Sequence, residues 1–533
     1  MTVDPPRLVI GPLLEYSAEM QAQYERVSSV EERRKKGQFF TPPEVSAFMA
    51  GLLSLNAARP IRLLDPGAGV GSLSAAVCDR FLARAPGHRL EIDLVENDGD
   101  VLPFLRRVMG RCAEALTGHG QKLVYEIHTK DFILDAANSV FGHPRLFDRT
   151  LEWANFDAVI VNPPYFKLRR ASRHTRVMAD VVHGQPNIYA LFLAAAAEML
   201  RPSGELVAIT PRSFCGGAYF REFRRWFFKR MALDHLHLFE SRTETFREVL
   251  QESLVTASHR LGRPSRTVGV TSSFGPSLRS IKRRAMPISA VFDDSCGQAV
   301  VRIPTSEEDL AIAKAVESWP YRFSDLGLRV STGPVVMFRA TEFLMAEPDG
   351  QDSVPLLSVF NVKPFQTEWP VTHRKHPTAF KVCAESRRLL LPSRNYVLLR
   401  RFSAKEESRR LTASCFLAND HSQSFVALEN HLNYIYHAER ELTVDEVFGL
   451  AAIFNSSLLD RYFRTISGNT QVNATDIRNM KFPDLLVAAS IGGRVRRRAS
   501  LDSDSIERLI VRELGINGEI ARCLLKGTLF GEV

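Results

Sequence analysis

Short apolar runs alternate with helical segments between residues 61 and 210, and this alternation limits the fold of the chain more than any other feature. Strands that are joined through helices form a parallel sheet with helices on both faces. The sequence therefore predicts an α/β fold with a doubly wound, Rossmann-like sheet. The predicted elements are strands at 61–64, 91–96, 122–128, 156–162 and 204–210, helices at 72–84, 101–116 and 187–201, and a closing hairpin of 233–240 with 253–261.

The chain is too long for one hydrophobic core, because its 533 residues exceed the usual size of a domain. We predict an N-terminal domain over residues 1–265, which begins with a helical segment, 1–36. Residues 266–297 carry many Gly, Pro, Ser and basic residues, which is typical of a linker. Residues 298–533 are predicted to form a mixed α+β domain, with one helix at 444–463.

Composition and charge narrow the function classes. With 45% hydrophobic and 24% charged residues, the chain is neither disordered, collagen-like nor membrane-spanning. The 69 Lys and Arg exceed the 60 Asp and Glu, and the formal net charge of +9 favours a polyanionic partner. The seven cysteines are scattered and form no C-x-x-C pair, so we expect neither disulfides nor a metal site. The N-terminus carries no signal peptide, and we expect a cytoplasmic protein without membrane association.

A glycine-rich turn follows the first predicted strand. In DPGAGVG (65–71), Gly67, Gly69 and Gly71 allow the backbone to approach a ligand closely, and the next helix presents free N–H groups there. The spacing is neither the dinucleotide pattern G-x-G-x-x-G nor a Walker A loop. Such a turn serves a nucleotide in some folds and is only a tight turn in others.

Glu96 ends the second predicted strand, 25 positions after Gly71. A carboxylate in this place binds the vicinal hydroxyls of a ribose in doubly wound folds. The alternative is an ordinary surface glutamate at a strand end. The position of the glycine turn favours the ribose.

The segment Asn162-Pro163-Pro164-Tyr165 follows the predicted strand 156–162, where open α/β sheets bind their ligands. Two prolines keep the chain extended, so the Asn162 side chain and the Pro163 carbonyl are paired acceptors. Tyr165 places an aromatic ring beside them. This arrangement suits a planar amine that is gripped at its NH₂ group and stacked on the ring. A proline-stiffened loop with an incidental asparagine is the alternative.

In this order, DPGAGVG, VEND (95–98), Asp131-Phe132 and NPPY resemble motifs I to IV of S-adenosylmethionine-dependent amino-methyltransferases. GQFFTP (37–42) resembles motif X, and its place before motif I matches the gamma class of DNA adenine-N6 methyltransferases. The second half is similar to type II modification methylases related to PstI and BsuBI. The segments that carry this similarity are 330–339, 395–410, 429–436 and 467–483.

The resemblance implies roles for individual residues. Thr41 and Asp65 would contact the methionine part of S-adenosylmethionine, and Glu96 would bind its ribose. Asp131 and Phe132 would lie against its adenine. A motif VIII phenylalanine packs on the target base in this family, and Phe246 is the best match, with an ordinary core phenylalanine as the alternative.

The implied reaction is transfer of a methyl group to the N6 amine of an adenine that is flipped out of duplex DNA. Alignment of the amine with the sulfonium methyl supplies much of the rate, and no covalent enzyme intermediate is needed. Cytosine-C5 methylation requires a cysteine that usually follows a proline. None of the seven cysteines does, which excludes that class.

Two groups of residues are candidates for DNA contacts. The first group directly follows NPPY and begins beside the predicted base pocket: Lys167, Arg169, Arg170, Arg173, His174 and Arg176. Asn469, Gln471 and Asn473 suit base edges or phosphates, although the same segment could be a turn before a helix with Thr475 as N-cap. A second basic group is expected to be only a solvated face: Arg400, Arg401, Lys405, Arg409 and Arg410.

The resemblance also implies a target-recognition role for the C-terminal domain and a place in a type II restriction–modification system. We expect a monomer, with a cognate restriction endonuclease encoded nearby but no stable complex, and CTGCAG is the candidate site. Two alternatives stay open. One is an amino-methyltransferase acting on RNA or on protein glutamine, and the other is a DNA-binding module with a degenerate cofactor pocket.

Overall fold

The computed structural model divides into two compact units, Met1–Ile303 and Pro304–Val533. The residues that it describes are 10–55, 59–84, 86–140, 155–184, 186–217, 219–240, 252–261, 265–278, 280–294, 297–371, 376–403, 407–420, 422–467, 471–498, 502–516 and 518–526.

The first unit contains helices and strands in alternation. Its helices are α1 Pro12–Val27, α2 Val30–Lys36, α3 Pro43–Gly51, α4 Ser72–Leu82, α5 Leu102–Gly118, α6 Phe132–Val140, α7 Arg173–Val177, α8 Ile188–Met199, α9 Arg221–Phe228 and α10 Ile288–Val291. Its strands are β1 Ile61–Pro66, β2 Arg89–Val95, β3 Lys122–His128, β4 Phe156–Val161, β5 Leu200–Pro211, β6 Met231–Phe239, β7 Ser253–Arg260, β8 Thr267–Ser273, β9 Lys282–Pro287, β10 Phe292–Asp293 and β11 Val300–Val301.

Nine of these strands form one sheet in the order β3-β2-β1-β4-β5-β7-β6-β8-β9. Strands β1 to β5 are parallel to one another, and β7 is antiparallel to both β5 and β6. Helices cover both faces, because alternate side chains of β4 enter different cores. Val159 and Val161 pack in one core with α6 and α8, whereas Ala158 and Ile160 pack in the other with α3, α4 and α5. The predicted doubly wound α/β sheet is confirmed.

The predicted hairpin of β6 and β7 forms, but it does not close the sheet. Strand β8 pairs parallel with β6, and β9 pairs antiparallel with β8, so the predicted linker 266–297 supplies sheet strands instead. Val268 and Val270 are buried, which gives β8 a core-facing side. The basic residues lie on β9, whose exposed, charged side chains are typical of an edge strand. The first unit therefore extends to Ile303.

The second unit combines two larger sheets and a two-stranded pair with a helical layer, as the predicted mixed α+β class requires. The helices are α11 Glu307–Glu317, α12 Val444–Phe454, α13 Ser457–Ile466, α14 Ala474–Asn479, α15 Leu485–Arg496, α16 Ser503–Glu513 and α17 Gly518–Lys526. The strands are β12 Tyr321–Arg322, β13 Leu328–Thr332, β14 Leu344–Met345, β15 Ser353–Leu357, β16 Val362–Lys363, β17 Phe365–Thr367, β18 Ala379–Lys381, β19 Leu391–Pro392, β20 Tyr396–Arg400, β21 Ala413–Phe416, β22 Phe425–Leu428, β23 Leu432–His437 and β24 Lys481–Phe482. The larger sheets have the orders β13-β23-β20-β21-β17-β16 and β14-β18-β15-β22-β19, and β12 pairs with β24.

The single helix predicted at 444–463 is two helices, α12 and α13. Asn455 ends the first, and the hydroxyl of Ser456 caps the second by accepting a hydrogen bond from the backbone N–H of Leu459. Asn455 exchanges two hydrogen bonds with the backbone of Ala413, which draws its side chain away from the helix. Within the described part of the chain, no helix is long and apolar enough to cross a membrane.

Candidate active site

Strands β1 and β4 lie side by side at the point where the strand order reverses, and their carboxyl ends carry the two predicted motifs. After β1, Gly67, Gly69 and Gly71 have φ of 79°, 56° and 92°, the left-handed region that favours glycine. The backbone N–H groups of Gly67 and Ala68 donate to the carbonyl of Val95 at the end of β2. The turn is thus fixed against the neighbouring strand, at the edge where doubly wound sheets bind ligands.

Glu96 is held against the glycine turn. Its carboxylate accepts hydrogen bonds from the backbone N–H of Gly69 and of Asp98, both at 2.8 Å. The side chain is 8% exposed, and burial raises the pKa of its carboxyl group. A carboxylate can accept about four hydrogen bonds, so Glu96 keeps acceptor capacity for a ligand.

Asp65 lies under the turn and does not line the cavity described below. It is fully buried, and one oxygen accepts a hydrogen bond from the Ser74 hydroxyl at 2.6 Å. The other oxygen has no partner among the described residues. Burial, together with the nearby charge of Glu96, raises the pKa of Asp65 to about 7. Its direct contact with the methionine part of a cofactor, which the resemblance implies, remains a prediction.

Asp131 and Phe132 lie at the start of α6. The Asp131 carboxylate accepts a hydrogen bond from the backbone N–H of Leu134 at 3.0 Å and lies 2.8 Å from Nε2 of His174. Burial acts to raise the pKa of Asp131, but the contact with His174 and the backbone N–H groups of Leu134 and Ile133 together outweigh it, so the pKa is lowered. Phe132 packs on Phe192, with ring centroids 5.0 Å apart. Sequence patterns placed His174 only among neighbouring basic residues and missed this pair.

Asn162 is fixed through its amide nitrogen, which donates to the backbone carbonyl of Phe39 at 2.6 Å and to the Thr41 hydroxyl at 2.9 Å. A carbonyl can only accept, so the Phe39 contact determines which end of the amide is the nitrogen. Oδ1 therefore points the other way and accepts from the Tyr165 hydroxyl at 2.7 Å. An amide oxygen has two lone pairs, and one remains for a ligand.

Tyr165 is oriented by both its hydroxyl and its ring. The hydroxyl also lies 3.0 Å from the carbonyl oxygen of Ile209 at the end of β5, and burial raises the pKa of the phenol. The ring stacks on Phe39, with centroids 5.6 Å apart and planes 20° from parallel. The sequence predicted the ring of Tyr165 beside Asn162 but not the hydrogen bond between the Tyr165 hydroxyl and Asn162.

The segment from α2 to Thr41 forms a wall of the site. Asp98, beyond the end of β2, accepts hydrogen bonds from Lys36 at 2.8 Å and from Gln38 at 2.6 Å. Gly37 ends α2 with φ of 68°, and an added Cβ would lie 2.8 Å from the Phe166 ring. The motif GQFFTP predicted that this segment belongs to the site. No sequence pattern indicated that Asp98 binds the segment through Lys36 and Gln38.

These parts enclose a cavity of about 460 Å³, within the size range of small-molecule sites. The predicted residues divide into two groups. The cavity is lined by Thr41, Gly67, Gly69, Glu96, Asp131, Phe132, Asn162 and Pro164. Gly71, Pro163 and Tyr165 are adjacent in sequence to lining residues, and Asp65 lies two positions before Gly67, but none of these four is part of the lining.

The predicted DNA contacts fall in both units. Lys167, Arg169 and Arg170 are exposed beyond NPPY. In the second unit, Asn473 rather than Thr475 is the N-cap of α14, and its amide nitrogen donates to Asp476 at 3.1 Å. Phe246 and Asn469 lie outside the described residues. Gln471 lies beside Arg401, whose guanidinium donates to its Oε1 at 3.3 Å.

The second basic group is not a uniformly solvated face. Arg410 is 1% exposed, and its Nε donates to the Ser403 hydroxyl at 3.0 Å. Its backbone N–H donates to Asp460, and its guanidinium lies 5.7 Å from the centre of the Phe463 ring. The prediction is wrong for this residue, because its contacts come from distant segments that local charge counting cannot reveal.

One further group could offer ligands to a cation. Asp93, Glu126 and His128 present side-chain atoms within 4.8 Å of one another on β2 and β3. His128 lies 2.9 Å from Asp93 and 3.6 Å from Glu126, so these side chains already satisfy one another. We assign no metal to them.

Comparison with known proteins decides the family. The type II methyltransferase M.BsuBI of Bacillus subtilis is 32% identical over 521 residues, which cover 96% of this chain and 98% of that protein. The chain belongs to the type II methyltransferases. A second member, M.PstI of Providencia stuartii, is 32% identical over 454 residues, covering 85% of this chain and 87% of that protein. The predicted resemblance is confirmed.

Two further comparisons fit this type II methyltransferase. Residues 114–246 match the family described as Eco57I restriction-modification methylase. The type IIL restriction-modification enzyme MmeI, solved in complex with DNA, shares the fold with a TM-score of 0.50 and 10% identity. The alignment covers 96% of this chain and 76% of that chain. At this identity the likeness concerns the fold alone.

Proposed function

We propose that this type II methyltransferase transfers the methyl group of S-adenosylmethionine to the N6 amine of an adenine in duplex DNA, as the modification component of a restriction–modification system. The orientation of the Asn162 amide carries the proposal. The Phe39 carbonyl and the Thr41 hydroxyl accept hydrogen bonds from its nitrogen, so Oδ1 is left as the acceptor at the end of β4. An acceptor held in this way suits the N–H of an exocyclic amine.

The cavity fits the cofactor in size and donor set. Glu96 retains acceptor capacity for ribose hydroxyls, and Asp131 retains it for an adenine amine. Phe132 provides an apolar wall, and the glycine turn allows close approach of the ligand. When bound, S-adenosylmethionine supplies an electrophilic methyl group.

The chain's own task is to position the amine. Asn162 Oδ1 and the Pro163 carbonyl accept the two amine hydrogens, which favours the pyramidal nitrogen with an available lone pair. Positioning of two reactants in one site can lower the activation free energy by about 7–11 kcal/mol. The new N–C bond forms as the S–C bond breaks, which leaves S-adenosylhomocysteine, and the methylated amine then loses one proton to solvent. No covalent bond to the enzyme is required.

An adenine inside a duplex cannot reach this site, so the proposal includes base flipping. A base entering beside Asn162 would meet the ring of Tyr165. The hydroxyl contacts with Asn162 and Ile209 hold that ring in place before any base arrives. Stacking on an aromatic side chain contributes about 1–3 kcal/mol for each base, which offsets part of the cost of unstacking.

The proposal is tested by incubating the protein with tritiated S-adenosylmethionine and duplex DNA, RNA or bacterial protein. We expect label in DNA and its recovery as N6-methyladenine after digestion to nucleosides. Asn162→Ala should lower transfer at least about 100-fold, since it removes the aligned acceptor. Asn419→Ala changes an exposed asparagine of the second unit and is the matched control.

Label in RNA or protein but not in DNA would contradict the substrate. Methylated cytosine would contradict the adenine assignment. Undiminished transfer by a folded Asn162→Ala protein would contradict the role given to this site.

A further inference from the structure

We infer that four side chains of the second unit, Arg401, Phe402, His431 and Gln471, form a base-reading site for duplex DNA. We call them the recognition cluster. The inference rests on the proposed function for the kind of ligand, and it names the residues that select the sequence. Nothing in the comparisons assigns such a role to any of them.

The cluster lies where four separate segments meet. They are the four segments that carry the similarity to the type II modification methylases: 330–339, 395–410, 429–436 and 467–483. Backbone hydrogen bonds join them in a chain of contacts. The bonds run from Gly333 N to Leu432 O at 2.9 Å, Asn430 N to Val335 O at 2.8 Å, Arg401 N to His431 O at 2.9 Å, and Val472 N to Arg401 O at 2.7 Å.

Buried contacts brace this junction. Asn433 is fully buried, donates to the carbonyl of Val472 at 2.7 Å and accepts from the Thr332 hydroxyl at 2.9 Å. Gly333 lies directly against the backbone of Glu429, where an added Cβ would overlap the Glu429 carbonyl. The framework is therefore closely packed, which is what a site that must hold side chains in fixed positions requires.

The four side chains form one connected group. The Arg401 guanidinium donates to the carbonyl of Asn430 at 2.9 Å and to Oε1 of Gln471 at 3.3 Å, and it lies 5.6 Å from the centre of the Phe402 ring. Phe402 is 38% exposed and contacts the His431 ring edge-on at 4.8 Å between centroids. An arginine has five N–H donors, so Arg401 can be held by the protein and still donate outward.

Glu429 provides a second, independent sign of a ligand. Its carboxyl group is 2% exposed, and one oxygen lies 2.7 Å from Nδ1 of His431. The other oxygen is buried without a partner within the described part of the chain. Burial raises the pKa of Glu429 to about 7. An unsatisfied buried carboxyl is costly, and such groups recur at functional sites.

The chemistry of the cluster favours bases over phosphates. Arginine pairs with the O6 and N7 atoms of guanine, and glutamine with N6 and N7 of adenine. A phenylalanine makes apolar contact with the thymine methyl group or stacks on a base. A site for phosphate alone would need cations and N–H donors but would have no use for an exposed Phe402.

The test is selection from a random duplex library by the full-length protein, followed by sequencing of the bound DNA. This readout does not depend on methyl transfer. The variants are Arg401→Lys, which keeps the charge but removes the planar fork, and Gln471→Ala. Gln366→Ala alters an exposed glutamine of the same unit and is the matched control. Thermal unfolding verifies folding, and Gln471→Glu replaces Gln471→Ala if the latter unfolds.

We expect the wild type and the control to enrich one motif. Arg401→Lys and the Gln471 variant should each lose preference at one or more positions by about tenfold or more. Undiminished enrichment of the wild-type motif by both folded variants would overturn the inference, and so would enrichment of no motif by the wild type. Parallel assays of labelled methyl transfer separate the two proposals, because an enriched motif without transfer contradicts only the proposed function.

Discussion

Asp65 has an environment that departs strongly from the ordinary surroundings of an aspartate. It is fully buried, one oxygen has no partner among the described residues, and burial with Glu96 nearby raises its pKa to about 7. Between pH 4 and 7 the folded chain therefore holds a proton that the unfolded chain releases. Stability from this group is present at low pH and falls as the pH rises towards 7.

We expect Asp65→Asn to stabilise the free protein more at pH 8 than at pH 5, because it removes the cost of the buried charge. The difference should reach about 3 kcal/mol in the free energy of unfolding, because the folded-state pKa of about 7 lies about two units above pH 5. Denaturant unfolding at both pH values measures it. A substitution effect that is the same at both pH values would contradict the raised pKa.

His174 acts on the site through Asp131. Removal of the His174 side chain should raise the pKa of Asp131, so its carboxylate would protonate at a higher pH. We expect His174→Ala to raise KM for S-adenosylmethionine about tenfold with little change in kcat. The rise in KM on acidification should also begin at a higher pH than in the wild type. His119→Ala, at the end of α5, is the control. A uniform loss of kcat would indicate damage to the fold instead.

At the scale of elements, the segment that follows α2 closes the site. Gly37 has positive φ, and an added Cβ would lie 2.8 Å from the Phe166 ring and 3.1 Å from the Tyr165 nitrogen. We expect Gly37→Ala to lower the free energy of unfolding by about 1–2 kcal/mol and to weaken cofactor binding. Chemical denaturation and calorimetric titration measure the two effects.

Gly110→Ala provides a control of opposite sign. Gly110 lies inside α5, and no atom of the described residues lies within 4 Å of an added Cβ. We expect this substitution to stabilise the protein by about 0.5–1 kcal/mol. Equal effects of the two substitutions would contradict the close packing inferred at Gly37.

Sequence patterns predicted the strands of the first unit up to β7 and the helices α4, α5 and α8, but they did not predict α6, α7 or α9. Alternating strands and helices, the glycine turn and NPPY are local features, so their positions could be found from neighbouring residues. The side-chain contacts could not be found from neighbouring residues. His174 contacts Asp131, and the Phe39 carbonyl accepts a hydrogen bond from the Asn162 amide, only because the fold brings distant segments together. Composition was misleading at 266–297, where edge-strand charges resemble those of a linker.

The whole molecule carries a surplus of nine positive charges, and exposed cations follow NPPY. Both features favour binding to the phosphates of DNA. We expect DNA binding to weaken with salt. Substitution of Lys167, Arg169 and Arg170 by Ala should reduce the slope of log K against log salt by about 0.9 for each phosphate that the protein no longer neutralises. Fluorescence anisotropy over a range of salt concentrations measures the slope. The control triple consists of three other exposed cations, Arg106, Arg107 and Lys122. An equal reduction of the slope in both triple variants would contradict a local DNA contact at Lys167, Arg169 and Arg170.

We propose that this type II methyltransferase marks adenine at a short DNA sequence. Modified-base sequencing of DNA from a methylation-deficient bacterial host that expresses the protein tests this proposal. We predict N6-methyladenine at one short motif, with CTGCAG the first candidate, and none in a host expressing Asn162→Ala. Methylated cytosine at the motif, or an unmodified genome in the presence of folded wild-type protein, would contradict the claim.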